Sequence, residues 1–500
     1  MSWTRIGMRH HHGICLPLFS LKARHESAIG EYLDLIPIIN WCKDIGFDII
    51  QLLPLNDSGG DSSPYSAHTA MGLHPIYLSL SQLPYLDTCN HLQAESARFH
   101  TDFPSKKVAY LSVLEKKLAF LRSYAKKTLP IFTKTNEYQL FKKNSWVKEY
   151  AHYKTTKKKN NEAPWWQWQE CILDPDEEAF HTLCQFLCFQ QWKKVKAHAD
   201  RAKVFLKGDI PILINRDSSD VWHHRELFLL EYEAGAPPDM YSQEGQQWGF
   251  PLYNWPVLSE RGYDWWIRRL QLAEKLYHLF RLDHIVGFYK IWAIPQGKSA
   301  KEGFFLPQDE SQWIEHGETI LRALLHECHM LPIGEDLGAV PPAVRASLQR
   351  LKIAGTKVLR WERRWEGDGS FINPKQLEPL SMSTLSTHDS EPVALWWQEQ
   401  PTEARDYAQY LQVEYETPLK KTVRQRILEE CHKSSSLFHI NLLQEYLGMF
   451  DELAWPDPKD DRINVPGTVS DENWTYRFKP TISEFTAHEP LRALMRKLSS

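Results

Sequence analysis

The sequence predicts an α/β chain closed into a (β/α)8 TIM barrel. Short apolar runs recur eight times, mostly separated by stretches with helical apolar spacing, which is the rhythm of a parallel sheet. Three late runs carry acids at or near their C-terminal ends, Asp283, Glu335 and Asp389. A parallel barrel gathers its chemistry at such C-terminal strand ends. The competing architecture, a doubly wound open sheet, would more naturally carry a glycine-rich phosphate loop, and no GxGxxG or Walker sequence occurs.

Taken in order, Ile14–Leu18 reads as the first short buried strand. Gly30–Asp44 is apolar at helical spacing, interrupted by Pro37, with Gly46 where a helix cap belongs. Asp48–Leu55 is the second strand, and the Ser-, Gly- and Asp-rich loop Asn56–Met71 carries Ser63-Pro64-Tyr65-Ser66. Residues 80–200 break the rhythm. They hold Lys-rich helical segments, Leu111–Lys126 and Tyr138–Tyr153, and no good buried strand. The chain therefore reads as a single barrel unit over 1–500 with a helical, Lys-rich insertion over 80–200. The run Lys157-Lys158-Lys159 is expected to be a solvated face. Trp165-Trp166-Gln167-Trp168 either lines a groove or packs the insertion onto the main body.

The rhythm returns with Val204–Asn215, an apolar strand interrupted by Asp209. Asp264–Phe280 is a helix whose Trp266, Leu270, Ala273, Tyr277 and Phe280 form one stripe. It leads into the strand Leu279–Phe288. Leu321, Leu324, Leu325 and Cys328 mark a helix before the strand Leu331–Asp336. Lys357–Glu362, Ser383–Asp389 and Leu437–Leu443 complete the eight.

Composition narrows the function. The charges nearly cancel, 59 basic against 63 acidic, which gives no reason to expect nucleic acid or an anionic membrane as partner. No apolar run approaches a spanning helix of roughly 18 residues. Gly13–Leu21 follows Arg9 like a signal core, but it holds a proline and lacks a small-residue cleavage site. Eight scattered cysteines without CxxC or zinc spacing read as reduced thiols of a cytosolic protein. His10-His11-His12 reads as a loop rather than a metal site, since three adjacent His do not converge on one face; no metal is expected. Twenty Trp, 20 Tyr and 22 Phe exceed what a core requires, and aromatic faces also stack on sugars.

The acids supply candidate chemistry. In a strand, alternate side chains share a face, so Arg281 sits beside Asp283. A neighbouring cation favours an ionised carboxylate, as a nucleophile or electrostatic stabiliser needs. Glu335 follows an apolar stretch and precedes Asp336; burial and neighbouring carboxylates would raise its pKa, as a general acid requires. Asp389 and the adjacent His388 could hydrogen-bond sugar hydroxyls. Each acid alone could equally be a helix cap or a structural ion pair.

At this point the chain resembles the 4-α-glucanotransferases (amylomaltases, disproportionating enzymes) of glycoside hydrolase family 77, from about Gly13 to Arg477. The resemblance rests on Ser63-Pro64-Tyr65, Gly208-Asp209-Ile210-Pro211, Asp217–Trp222, Pro237-Pro238-Asp239 and Gly245–Tyr253. It continues through Arg281–His284, Glu335–Gly338, Thr387-His388-Asp389, Asn464–Thr468 and Asn473-Trp474. It implies a barrel with subdomain insertions and no separate C-terminal β-domain. It also implies Asp283 as nucleophile, Glu335 as acid/base and Asp389 as the third, transition-state-stabilising acid. Arg281, His388, Asp209 and Tyr65 would hold the sugar before the scissile bond. Trp248 and the loop Pro237–Gln243 would lie along the glucan groove. The chain departs from the family where Ile285-Val286 replace the usual aromatic residue and Arg, where Ser390 replaces the usual Asn, and in a shorter stretch before Pro237. The reaction implied is disproportionation of α-1,4-glucans without a cofactor. An α-glucan hydrolase using the same acids is the alternative, and a glucan-binding protein without activity a remote one, since such proteins usually lose a catalytic acid.

Overall fold

The computed structural model describes residues 3–103, 106–238 and 243–500. Eight parallel strands form the central sheet: β1 His11–Leu16, β2 Ile49–Leu52, β3 Phe205–Ile210, β4 Leu279–Leu282, β5 Leu331–Gly334, β6 Gly355–Val358, β7 Ser381–Thr384 and β8 Phe438–Leu442. Their spatial order is β5-β4-β3-β2-β1-β8-β7-β6. The amide of Gly334 donates to the Ala354 carbonyl at 2.7 Å, joining β5 to the start of β6 and closing the barrel. Almost every residue of these strands is buried, as a parallel sheet covered on both faces requires.

Each of the eight expected runs overlaps a barrel strand, but several strands stop earlier than the apolar runs suggest. β4 ends at Leu282, and the equally buried Ile285–Phe288 is a 3-10 turn. The run Lys357–Glu362 overlaps β6 only at its start and passes into the 3-10 turn Leu359–Trp361. These turns stay buried beyond the strand ends, so apolar character outlasts the strand. His10–His12 is not the loop expected. β1 begins at His11, and His11 and His12 are both buried.

Helices cover the barrel. In α1, Leu35–Asp44, Pro37 lies in the first turn, where its missing N–H has no intrahelical partner to lose. Gly46 follows with φ +79°, the left-handed conformation that ends a helix without a Cβ penalty. Between β2 and β3 the elements among the described residues are helical or single bridges. The long ones are α2 Tyr110–Phe132, α3 Ser145–Lys159 and α4 Pro175–Ala202. α4 starts on Asp174, which caps the Glu177 amide at 3.1 Å, with Pro175 and three acids in its first turn.

α3 presents Tyr150, Tyr153, Lys154 and Lys157 along one side, the i, i+3, i+4, i+7 pattern. Tyr150 Oη donates to Asp57 at 2.6 Å and Lys154 pairs with the same carboxylate at 3.1 Å. Tyr153 Oη donates to Asp217 at 2.9 Å, and Lys157 pairs with Asp217. The expected solvated lysine face is thus corrected at Lys157, which is buried in this ion pair and also donates to the Glu162 and Ala163 carbonyls. Lys158 and Lys159 remain at the surface against Glu177 and Asp174. Trp165 and Trp168 pack inward: Trp165 Nε1 donates to the Arg216 carbonyl, and Trp168 lies edge-on to Trp222 at 4.9 Å. Trp166 is exposed.

One feature had no counterpart in the sequence reading. A four-stranded antiparallel sheet joins Tyr232–Ala236, Gln246–Gln247, Ile291–Pro295 and Phe304–Leu306. Its strands are too short to show an alternating pattern. The helix expected over Asp264–Phe280 is present as α5, Asp264–Glu274, and ends before Tyr277; that ring instead covers Gly208 of β3, where any Cβ would fall within 2.6 Å of it. Two further helices complete the set used below, α6 Trp313–His326 and α7 Lys421–His432.

Candidate active site

The site is built where β3, β4, β5 and β7 end. Asp209 on β3 and Arg281 on β4 are register partners, so their side chains leave the sheet together. Arg281 Nη1 donates to both Asp209 oxygens at 3.0 and 2.9 Å, and Nη2 reaches Asp283 Oδ1 at 2.7 Å. Tyr65, from the loop after β2, donates to Asp209 Oδ2 at 2.9 Å and meets His388 Nε2 at 2.8 Å. His388 Nε2 also lies 3.0 Å from Asp389 Oδ2, and Asn464 Nδ2 donates to Asp389 Oδ1 at 2.7 Å. One continuous chain of polar contacts therefore runs from Asp283 through Arg281, Asp209, Tyr65 and His388 to Asp389.

Glu335 joins from β5 through the backbone. Its Oε2 accepts the amide of His284 at 3.0 Å, and its Oε1 accepts that of Leu337 at 3.0 Å. His284 has φ +45° and ψ +53°, left-handed for a residue with a Cβ, a conformation that costs about 1–3 kcal/mol. Trp248 packs edge-on against the His284 ring at 5.0 Å. The structure thus brings together all eight residues picked from the sequence. Of the groove loop Pro237–Gln243, residues 239–242 lie outside the described residues.

Electrostatics separate the carboxyls. Burial is the largest influence on Glu335; with Asp283 nearby it outweighs the Arg281 charge and raises the pKa to about 7. Burial would also raise Asp389, but the His388 imidazole and the hydrogen bonds from His388 and Asn464 prevail and lower it to about 2. Asp209 is raised, because burial and the Asp283 charge exceed the pull of Arg281. Near neutral pH the site can offer a carboxyl that still carries a proton, Glu335, beside one that is ionised, Asp389. Paired titratable groups with pKa values pushed apart are the pattern of acid/base chemistry.

Two contributors were not assigned roles from the sequence. Asn464 orients Asp389, and Trp474 packs on Tyr65 and His388 with ring centroids 5.4 and 5.9 Å apart. Both lie in blocks that carry the family resemblance, Asn464–Thr468 and Asn473-Trp474, but their partners are distant in the chain and gave them no role. The His284 amide was equally hidden, because any residue supplies one.

Comparison with known proteins decides what this site belongs to. The family model for glycoside hydrolase family 77, described as 4-alpha-glucanotransferase, matches residues 16–483. The chain belongs to this family. It is accordingly an enzyme of the 4-α-glucanotransferase class, acting on α-1,4-glucans. A 4-alpha-glucanotransferase of Chlamydia caviae is 44% identical over 98% of this chain and 95% of its own length. One from Chlamydia pneumoniae is 41% identical over 99% and 97%. Among solved structures, amylomaltase from Streptococcus agalactiae in complex with acarbose superposes with a TM-score of 0.83 at 22% identity, covering 98% of this chain and 99% of that one. Within the family, this chain's Ile285 is buried and fills the space over Gly334, where a Cβ would meet it at 2.8 Å. Ser390 closes the Thr387 turn, accepting its amide at 2.9 Å.

Proposed function

We propose that this 4-α-glucanotransferase works by double displacement, with Asp283 as nucleophile and Glu335 as acid/base. Asp283 attacks the anomeric carbon, and the bond to the departing 4-oxygen breaks as Glu335 gives that oxygen its proton. A glucan segment is left esterified to Asp283. An incoming 4-hydroxyl then loses its proton to Glu335 and attacks the same carbon, releasing Asp283 and restoring the α-configuration. Arg281 occupies Oδ1 of Asp283, which directs Oδ2 to the sugar. Asp389 stabilises the flattening ring. Asp209, Tyr65, His388 and Arg281 hold the sugar before the scissile bond, and Trp248 lies along the glucan groove. No cofactor enters, since the bond energy is conserved.

The observation that carries this reading is Glu335, its pKa raised to about 7 by burial while its Oε2 is fixed by the amide that directly follows Asp283. Maltooligosaccharides are the proposed substrates, with glycogen or starch as polymeric donors, and the proposed compartment is the cytoplasm. Eight free cysteines support the latter, and no helix among the described residues is long and apolar enough to cross a membrane. Maltotriose tests transfer against hydrolysis. Transfer gives glucose and a ladder of longer chains with reducing ends constant; a steady rise in reducing ends without longer oligomers would overturn the transferase reading for a hydrolase.

A further inference from the structure

At the opposite end of the barrel, three buried imidazoles meet. His12 and His439 are register partners on β1 and β8, and His432 is the last residue of α7. His12 Nδ1 lies 2.7 Å from His432 Nδ1 and 3.3 Å from His439 Nδ1. The available ligand atoms of the three rings all fall within 4.8 Å of one another. His11, on the other face of β1, is held separately by Asp48 at 2.8 Å and the Gly7 carbonyl at 2.9 Å.

Proton accounting shows what the cluster lacks. His439 Nε2 faces the Ser434 carbonyl at 3.3 Å, which can only accept, so that nitrogen carries the hydrogen and Nδ1 presents a lone pair. His432 Nε2 lies 2.8 Å from Tyr446 Oη, which accepts from Asn441 at 3.0 Å and donates to the Gly13 carbonyl at 3.3 Å. When Tyr446 gives its hydrogen to Gly13, His432 Nε2 donates to Tyr446 and its Nδ1 is a second lone pair; Asn441 Nδ2 lies 3.4 Å from the same Nε2. A hydrogen on His12 Nδ1 can fully serve only one of them. Burial keeps His12 and His439 neutral, with pKa values of about 4 and 3.

We propose that His12, His432 and His439 form a structural site for a divalent transition metal of the zinc type, pinning β1 to β8 where the barrel joins its first and last strands. A cation in place of the shared proton accepts all three lone pairs. Tetrahedral Zn–N bonds of about 2.0–2.1 Å put ligand nitrogens about 3.3–3.4 Å apart. The His12–His439 pair already has this spacing. The His12–His432 pair needs to open by well under 1 Å. The outer nitrogens of His432 and His439 already have the hydroxyl and carbonyl partners that fix a ligand's tautomer. The exposed His10, edge-on to His439 at 4.9 Å, adjoins the solvent side from which a fourth ligand would come. The site is remote from the acids, on the face of the barrel that serves stability.

The test uses the full chain without added histidines, stripped with chelator and titrated with Zn2+ by calorimetry and with Co2+ by visible absorption. Expected are about one equivalent of Zn2+, the intense ligand-field bands of tetrahedral Co2+, and a melting temperature that rises with Zn2+ as binding to the native state demands. His432→Phe should abolish these signals. Tyr446→Phe, which keeps all three ligands, should weaken Zn2+ about tenfold. Transfer activity of the stripped protein should be unchanged. Absence of saturable binding, a pale octahedral Co2+ spectrum, or binding that His10→Ala removes and His432→Phe leaves intact would each overturn the proposal. The spectrum is read on the unmodified chain, so a variant that fails to fold does not decide it.

Discussion

The barrel mouth and the face of α3 hold buried charge made from the same parts: aspartates, a long cation and a tyrosine hydroxyl. They differ in completeness. On the α3 face, Asp57 receives the Gly59 amide at 2.8 Å, Tyr150 at 2.6 Å and Lys154 at 3.1 Å, and only 2% of its side chain is exposed. Lys154 and the nearby His74 and His68 overcome its burial and hold it well below the usual carboxylate range. At the mouth, Asp283 has Arg281 on one oxygen and keeps 24% of its side chain open, while Glu335 is displaced the other way, to about 7. A cluster whose acceptors are all taken fastens the loops after β2 and β3. A cluster left open on one side can receive a reacting atom.

The contrast can be broken most severely at Asp283. Asp283→Asn should lower maltotriose disproportionation by at least about 10^3-fold with the melting temperature unchanged, because chemistry and not scaffold is removed. A variant with wild-type turnover ends the assignment of the nucleophile. Glu335→Gln should lose about 10^2–10^4-fold in kcat/KM. In the unmodified enzyme, activity should fall as pH rises through about 7, where Glu335 gives up its proton. Between the carboxyl's ordinary value and about 7 the folded state binds the extra proton, so stability declines with rising pH across that window. Glu335→Gln should flatten this decline and melt higher than the parent at pH 8.

On the α3 face the effects should reverse in kind. Lys154→Met leaves Asp57 buried without its cation and should cost about 3–5 kcal/mol, seen as a drop of about 3–5 °C in melting temperature. Turnover per folded molecule, measured well below the transition, should stay within about twofold to threefold. A large fall in turnover at intact stability would erase the distinction between the two clusters. The smallest effect is expected for Asn464→Ala. It removes one hydrogen bond to the charged Asp389 and should lower kcat/KM about tenfold, with little change in melting temperature.

The barrel was legible because a fully buried parallel strand is a bare apolar run, and eight such runs are hard to mistake. Their ends were not. Ile285–Phe288 is as buried as β4 itself, so hydrophobicity could not mark where the strand stops. Asp283, Glu335 and Asp389 were visible through their position and through Arg281 two residues before the first of them. Lys157 was misread because a lysine run in a polar helix looks solvated; its partner Asp217 is 60 residues away and no local pattern links them. His12 was misread for a related reason. Adjacent histidines on a strand diverge, and the ones that meet His12 come from α7 and β8. Contacts made by backbone amides, such as that of His284, leave no mark on the sequence at all.

That amide has a geometric consequence. It follows directly on the carbonyl of Asp283, so the proposed nucleophile and the grip on the proposed proton donor are carried by neighbouring residues of one turn. Double displacement needs its two carboxyls about 5–5.5 Å apart. Here the peptide joining Asp283 to His284 ties the two together: its N–H holds Glu335 Oε2 at 3.0 Å, and the left-handed His284 then turns the chain away from the strand.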